Sequence, residues 1–167
     1  GDADVTMKTD NLVIGNTGNC KGNIETHNAD IWGTFDGDLK ASGTLTIQEE
    51  GVATGTIEYQ KMQIKLGGKL SGDIKMSDKI QPIKKADEVQ IDGEADVTMK
   101  TDNLVIGNTG NCKGNIETHN ADIWGAFDGD LKASGTLTIQ EEGVATGTIE
   151  YQKMQIKLGG KLSGDIK

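Results

Sequence analysis

Apolar residues recur in this chain on two periods at once. Within short runs they point alternately to two sides, as in Leu12-Val13-Ile14, Ile31-Trp32-Gly33-Thr34-Phe35, Leu45-Thr46-Ile47 and Met62-Gln63-Ile64. A short phrase follows each run: Gly22-Asn23-Ile24, Gly37-Asp38-Leu39, Gly55-Thr56-Ile57 and Gly72-Asp73-Ile74. The last residues of these phrases lie 15, 18 and 17 positions apart. A period of two marks strands with one buried face. The longer period marks coils that cannot bury that face alone and do so by stacking. The pattern therefore predicts an all-β fold, a parallel β-helix or β-solenoid. Right-handed winding is expected, because crossovers between parallel strands favour it, and the hexapeptide rhythm of left-handed solenoids is missing.

The coils read Asn11–Asn28, Ala29–Gly43, Thr44–Gln60 and Lys61–Asp78. Their predicted inward residues are Leu12, Ile14 and Ile24; Ile31, Phe35 and Leu39; Leu45, Ile47, Val52 and Ile57; Met62, Ile64, Leu70 and Ile74. The chain starts partway through a coil, with Val5-Thr6-Met7 standing where the glycine phrase stands later.

The whole pattern then repeats. Residues 1–75 and 93–167 are one segment twice, at an offset of 92, differing only at Asp2 against Glu94 and Thr34 against Ala126. Residues 76–92 connect the copies. Glu88 to Asp102 reads as a short coil with Val89, Ile91, Ala95, Val97 and Met99 inward. The excess, 79–87 with Pro82 inside it, is expected to be a loop thrown out of one continuous solenoid; the rival is a linker between two solenoids. About five coils per 92 residues give nine to ten in all, a rod of roughly 45 Å at about 4.8 Å per strand.

Composition narrows the core. Hydrophobic residues make up 34% and aromatics 4% of the chain, so a narrow bore filled by Ile, Leu, Val and Met fits and a wide aromatic core does not. The net charge is −9 and all 17 basic residues are Lys. An acidic chain without a guanidinium fork is a poor partner for nucleic acid. No run reaches the roughly 20 apolar residues of a membrane span.

Candidate chemistry is sparse. Asp36 and Asp38 lie two apart near Trp32, and Asp128, Asp130 and Trp124 repeat them. On a flat strand two such carboxylates sit about 7 Å apart, an inverting-glycosidase spacing, with Trp as a sugar platform. A solvated acidic face is the plainer reading. His27 lies in the polar stretch Glu25-Thr26-His27-Asn28, and one His with one Cys per copy gives no metal-ligand spacing. Cys20 and Cys112 are expected about five coils apart, roughly 24 Å, too far for a disulfide and hence free. Glu49-Glu50 reads as a solvated corner. Gly15-Asn16-Thr17-Gly18 is a turn that opens no helix, so no phosphate loop is expected. No catalytic residue, metal or cofactor is assigned.

A family is nevertheless recognisable. Asn11-Leu-Val-Ile-Gly15, Cys20-Lys-Gly-Asn-Ile24, Ile31-Trp-Gly-Thr-Phe-Asp-Gly-Asp-Leu39 and Gly67-Gly-Lys-Leu-Ser-Gly-Asp-Ile74 resemble the bactofilins, over nearly all of both copies. The resemblance implies a bacterial cytoskeletal protein whose right-handed β-helix polymerises through its ends without nucleotide. It further implies a cytoplasmic place at the inner membrane face, with membrane or cell-wall partners reached through tails absent from this fragment. Two features depart from the family: one solenoid domain is usual there, and its filaments are non-polar. Two copies in one continuous helix would point the same way.

Open solenoid ends expose unpaired strand edges and the apolar bore, so the expected partner is a second copy. The expected polymer interface is Val5, Met7, Leu12 and Ile14 at one end, and Met154, Ile156, Leu162 and Ile166 at the other. Trp32 and Trp124 form an expected lateral surface. The alternative is an extracellular β-helix that binds or cleaves carbohydrate through the Trp32/Asp36/Asp38 face.

Overall fold

A computed structural model of the chain describes residues 2–76 and 88–167. Its elements are all strands: β1 (Asp2–Ile14), β2 (Asn19–Ile31), β3 (Thr34–Ala41), β4 (Thr44–Ile47), β5 (Val52–Tyr59), β6 (Lys61–Ile64), β7 (Lys69–Met76), β8 (Glu88–Ile91), β9 (Glu94–Ile106), β10 (Asn111–Ile123), β11 (Ala126–Ile139), β12 (Val144–Ile156) and β13 (Lys161–Ile166). They join in one parallel sheet wound into a β-solenoid of about nine turns. The expected loop at 79–87 lies outside the described residues.

Each turn has an eight-residue arm and a four-residue arm. The longer arm stacks from Asp2–Thr9 through β3, β5 and β7 to β9 and onward to β13. The shorter arm stacks from Asn11–Ile14 through β4, β6 and β8 to the end of β12. Pairing crosses from the first copy to the second on both arms, β7 against β9 and β6 against β8.

Parallel pairing in register places like on like. The shorter arm ends in Ile14, Ile31, Ile47, Ile64, Ile91, Ile106, Ile123, Ile139 and Ile156, one above the next. All of these except Ile156 are buried. Fully burying one such side chain contributes about 1.5–3 kcal/mol. A second column runs through Cys20, Phe35, Ala53 and Leu70, where small residues alternate with large and so interdigitate.

The predicted inward set is buried with two exceptions at single positions. Leu12, in the first turn, is only partly buried. Val52 does not face the bore: it stands in the column of Thr34 and Lys69 and is half-buried, while Ala53 is inward. The inward residue lies four before the apolar residue that ends the glycine phrase, as Cys20 lies before Ile24 and Phe35 before Leu39. Counting back from Ile57 gives 53. Val89, Ile91, Ala95, Val97 and Met99 are all buried, as read from the sequence.

The glycine of each phrase makes a corner. Gly22, Gly37, Gly55, Gly72, Gly114, Gly129, Gly147 and Gly164 have φ between 116° and 138°, a region L side chains rarely occupy. They also stack, so a Cβ on Gly129 would run into the carbonyl oxygen of Gly114. Val5 heads this column, and Val97 interrupts it at the first rung of the second copy.

Replacing Gly129 by Ala is expected to lower stability by at least about 2 kcal/mol, from backbone strain and overpacking together. Gly15→Ala, where a Cβ meets nothing within 4 Å, should stay within about 0.5 kcal/mol. Urea denaturation of both variants checks this; equal costs would mean that the corner does not require glycine.

Candidate functional site

Outside the bore, the same stacking orders charge. Lys8, Glu25, Lys40, Glu58 and Lys75 stand in successive rungs with alternating sign. Lys8 Nζ lies 3.4 Å from Glu25 Oε2, and the second copy repeats this with Lys100 and Glu117 at 3.4 Å. These pairs are exposed and worth about 0.2–1 kcal/mol each, enough to favour this register over a shifted one. A groove of about 980 Å³ runs along part of the column, lined by Lys8, Glu25, His27, Lys40 and Glu58 among others. His27 is exposed there, its Nδ1 3.0 Å from Ser42 Oγ.

Trp32 lies in the turn after β2 and is exposed. Asp36 and Asp38 flank Gly37, whose φ is 138°, and both are exposed within the continuous strand β3. Thr54 Oγ1 donates to Asp36 Oδ1 at 3.1 Å, and Thr146 to Asp128 at 3.0 Å. One carboxylate of each pair is thus tied to the next rung. Glu50, at the exposed corner, has φ of 66°.

Apolar residues are left open at the two ends. The duplication supplies an internal comparison, since each end residue has a twin 92 positions away at the joint between copies. Ile64 is 0% exposed and its twin Ile156 is 48% exposed; Ile74 is 2% and Ile166 37%. Met62 and Leu70 are buried, whereas Met154 and Leu162 are partly open. At the other end Val5, Met7 and Leu12 are partly open while Val97, Met99 and Leu104 are buried. Ile14 is the mildest case, already buried by the turn above it.

Tyr151 belongs to the same set and was not singled out from the sequence. Tyr59 is 0% exposed and donates through its hydroxyl to Lys100 O at 2.9 Å, across the joint. Tyr151 is 38% exposed. The available signal was spacing: Tyr59 lies two residues past Ile57, on the inward parity.

Both cysteines are free and buried. Burial, then the nearby Asp96 carboxylate, pushes the Cys112 thiol up to about 12. Burial and then Asp4 raise Cys20.

The described residues thus form a parallel solenoid whose apolar bore is uncovered at the first and last described rungs. The family model described as "Bactofilin: Polymer-forming cytoskeletal" matches residues 1–75 and 79–167. The chain belongs to the bactofilin family. Comparison with curated proteins and with solved structures gives no match.

The folded chain keeps the Cys112 proton to about pH 12, while an unfolded thiol loses it near 9.0. Between these values the folded state holds more protons, so stability falls as pH rises. A Cys112→Ala chain should therefore lose less stability than wild type from pH 9 to 12, read by urea titration at each pH. Parallel curves would remove Cys112 from the account.

Proposed function

We propose that this protein is a structural element that assembles end to end into filaments without nucleotide, through its terminal rungs. The observation that carries this reading is the exposure contrast between twins. Residues buried where copy meets copy are open at the first and last described rungs, and a further copy of the same coil would cover them. The interface consists of Val5, Met7, Leu12 and Ile14 against Met154, Ile156, Leu162 and Ile166, with Tyr151 beside them. The two copies act as one continuous rod, in keeping with the pairing of β7 with β9.

Trp32 and Trp124 are a lateral contact between rods, since both are large, exposed and repeated. Membrane or cell-wall partners would be reached through segments outside residues 1–167, at the cytoplasmic face of the membrane. This placement rests on the family alone. No helix among the described residues is long and apolar enough to cross a membrane. The role needs no catalytic residue and no cofactor.

In electron micrographs and pelleting assays, wild type should form filaments. Leu162→Lys and Ile166→Lys should abolish them with little change in thermal melting, because these side chains are partly open in the single chain. Trp32→Ala should retain filaments and reduce bundling. Because each chain carries −9, added salt should speed assembly by screening repulsion. Discrete wild-type monomers at high concentration, with sugar binding lost in Trp32→Ala, would overturn the reading.

A further inference from the structure

One flank of the rod carries apolar side chains, the corner that leads from each shorter arm into the next longer arm. The first residue of a corner donates its N–H to the isoleucine carbonyl of the rung before, as Trp32 does to Ile14, Lys65 to Ile47, Asp92 to Ile64 and Trp124 to Ile106, at 2.7–2.8 Å. The corners therefore stack along one edge. In rung order they present Asn16-Thr17, Trp32, Glu49-Glu50, Lys65-Leu66, Asp92, Asn108-Thr109, Trp124 and Glu141-Glu142. Among the described residues away from the first and last rungs, the exposed large apolar side chains are Trp32, Leu66 and Trp124, and all three lie on this edge.

The duplication limits how two such edges can meet. In a parallel pair, Trp faces Trp only at a shift of zero or of one whole repeat. Either shift sets Glu49-Glu50 against a glutamate pair, its own counterpart or Glu141-Glu142, and like charges facing each other are unfavourable. An antiparallel pair reverses the order. With Trp32 opposite Trp124, Glu49-Glu50 faces Asn108-Thr109, and Asn16-Thr17 faces Glu141-Glu142. Lys65 faces Asp92. Each contact occurs twice, about a two-fold axis between the rungs of Lys65 and Asp92. This is the one antiparallel alignment that sets both tryptophans of each chain on a tryptophan.

Shape agrees at the axis. Lys65 and Gly107 open four-residue turns, closed by Gly68 N–H to Lys65 O at 2.9 Å and Gly110 N–H to Gly107 O at 2.8 Å. Asp92-Gly93, between them, is a corner of two residues. The shorter corner leaves a recess, and Leu66, 59% exposed, stands opposite the partner's recess.

We propose that two copies of this chain pair antiparallel along this edge, Trp32 on Trp124 and Lys65 on Asp92. This rests on the lateral contact between rods proposed above and adds its orientation and register. A pair so formed has no overall direction, whatever the direction of each rod. It uses residues 16–142 alone and is indifferent to what covers the terminal rungs. The contact is one edge wide and about 34 Å long by strand spacing, so it gains strength by repetition along rods.

Cysteine cross-linking reads the orientation. The buried thiols are first removed by Cys20→Ala and Cys112→Ala, since their column already holds Ala53 and Ala95. Glu49 and Asn108 are exposed and occupy the same position in their turns. Chains with Glu49→Cys and chains with Asn108→Cys, bundled together and oxidised, should give mixed dimers and no like-with-like dimers. Like-with-like dimers overturn the orientation and leave the lateral contact standing. Bundles without either cross-link overturn the register, and wild-type filaments that never bundle overturn the lateral contact as well. A charge exchange reads the register independently. Lys65→Glu sets a carboxylate opposite Asp92 and should raise the protein concentration needed for bundling at least about threefold, with filaments retained. Adding Asp92→Lys should restore it, because Lys already begins this corner at Lys65 and Lys157. An unchanged threshold in Lys65→Glu overturns the register.

Discussion

Everything in this molecule follows from parallel pairing in register, rung on rung. Each backbone hydrogen bond between rungs places a residue on its equivalent one coil away, so a choice made at one position is repeated along the rod. Where that choice is Ile, it builds the column from Ile14 to Ile156. Where it is Gly, it builds the corner from Gly22 to Gly164. Where it alternates between Lys and Glu, it builds the ion-pair column beginning at Lys8. These columns exist only because neighbours agree, and stability is a sum of rungs and the interfaces between them.

A globular core closes on itself, whereas a terminal rung keeps a face that a further rung or a cap must cover. The duplication makes this visible within one chain. The same Tyr, Ile, Met and Leu are sealed at position n and open at position n+92, with nothing changed but the presence of the next coil. The bactofilin family is described as polymer-forming.

Most of the bore was legible from spacing, because strand parity converts sequence position directly into side. The misreadings have local causes. Val52 was assigned inward on hydrophobicity, but parity across the glycine corner makes Ala53 the inward residue and Val52 the one at the coil's edge. Tyr59 and Tyr151 were passed over, although their spacing from the glycine phrase matches that of Thr26 and Ala41.

By itself the sequence determined the coil length, the corner glycines, the inward columns and the doubling of the unit, because each is a one-dimensional period and the strand is a one-dimensional ruler. Only the tertiary structure decided which rung lies on which across the join between copies, that Tyr59 reaches over it to Lys100, and which twins are left uncovered. Those facts depend on where a strand comes to rest after residues 76–87, and no period in the sequence spans that interval.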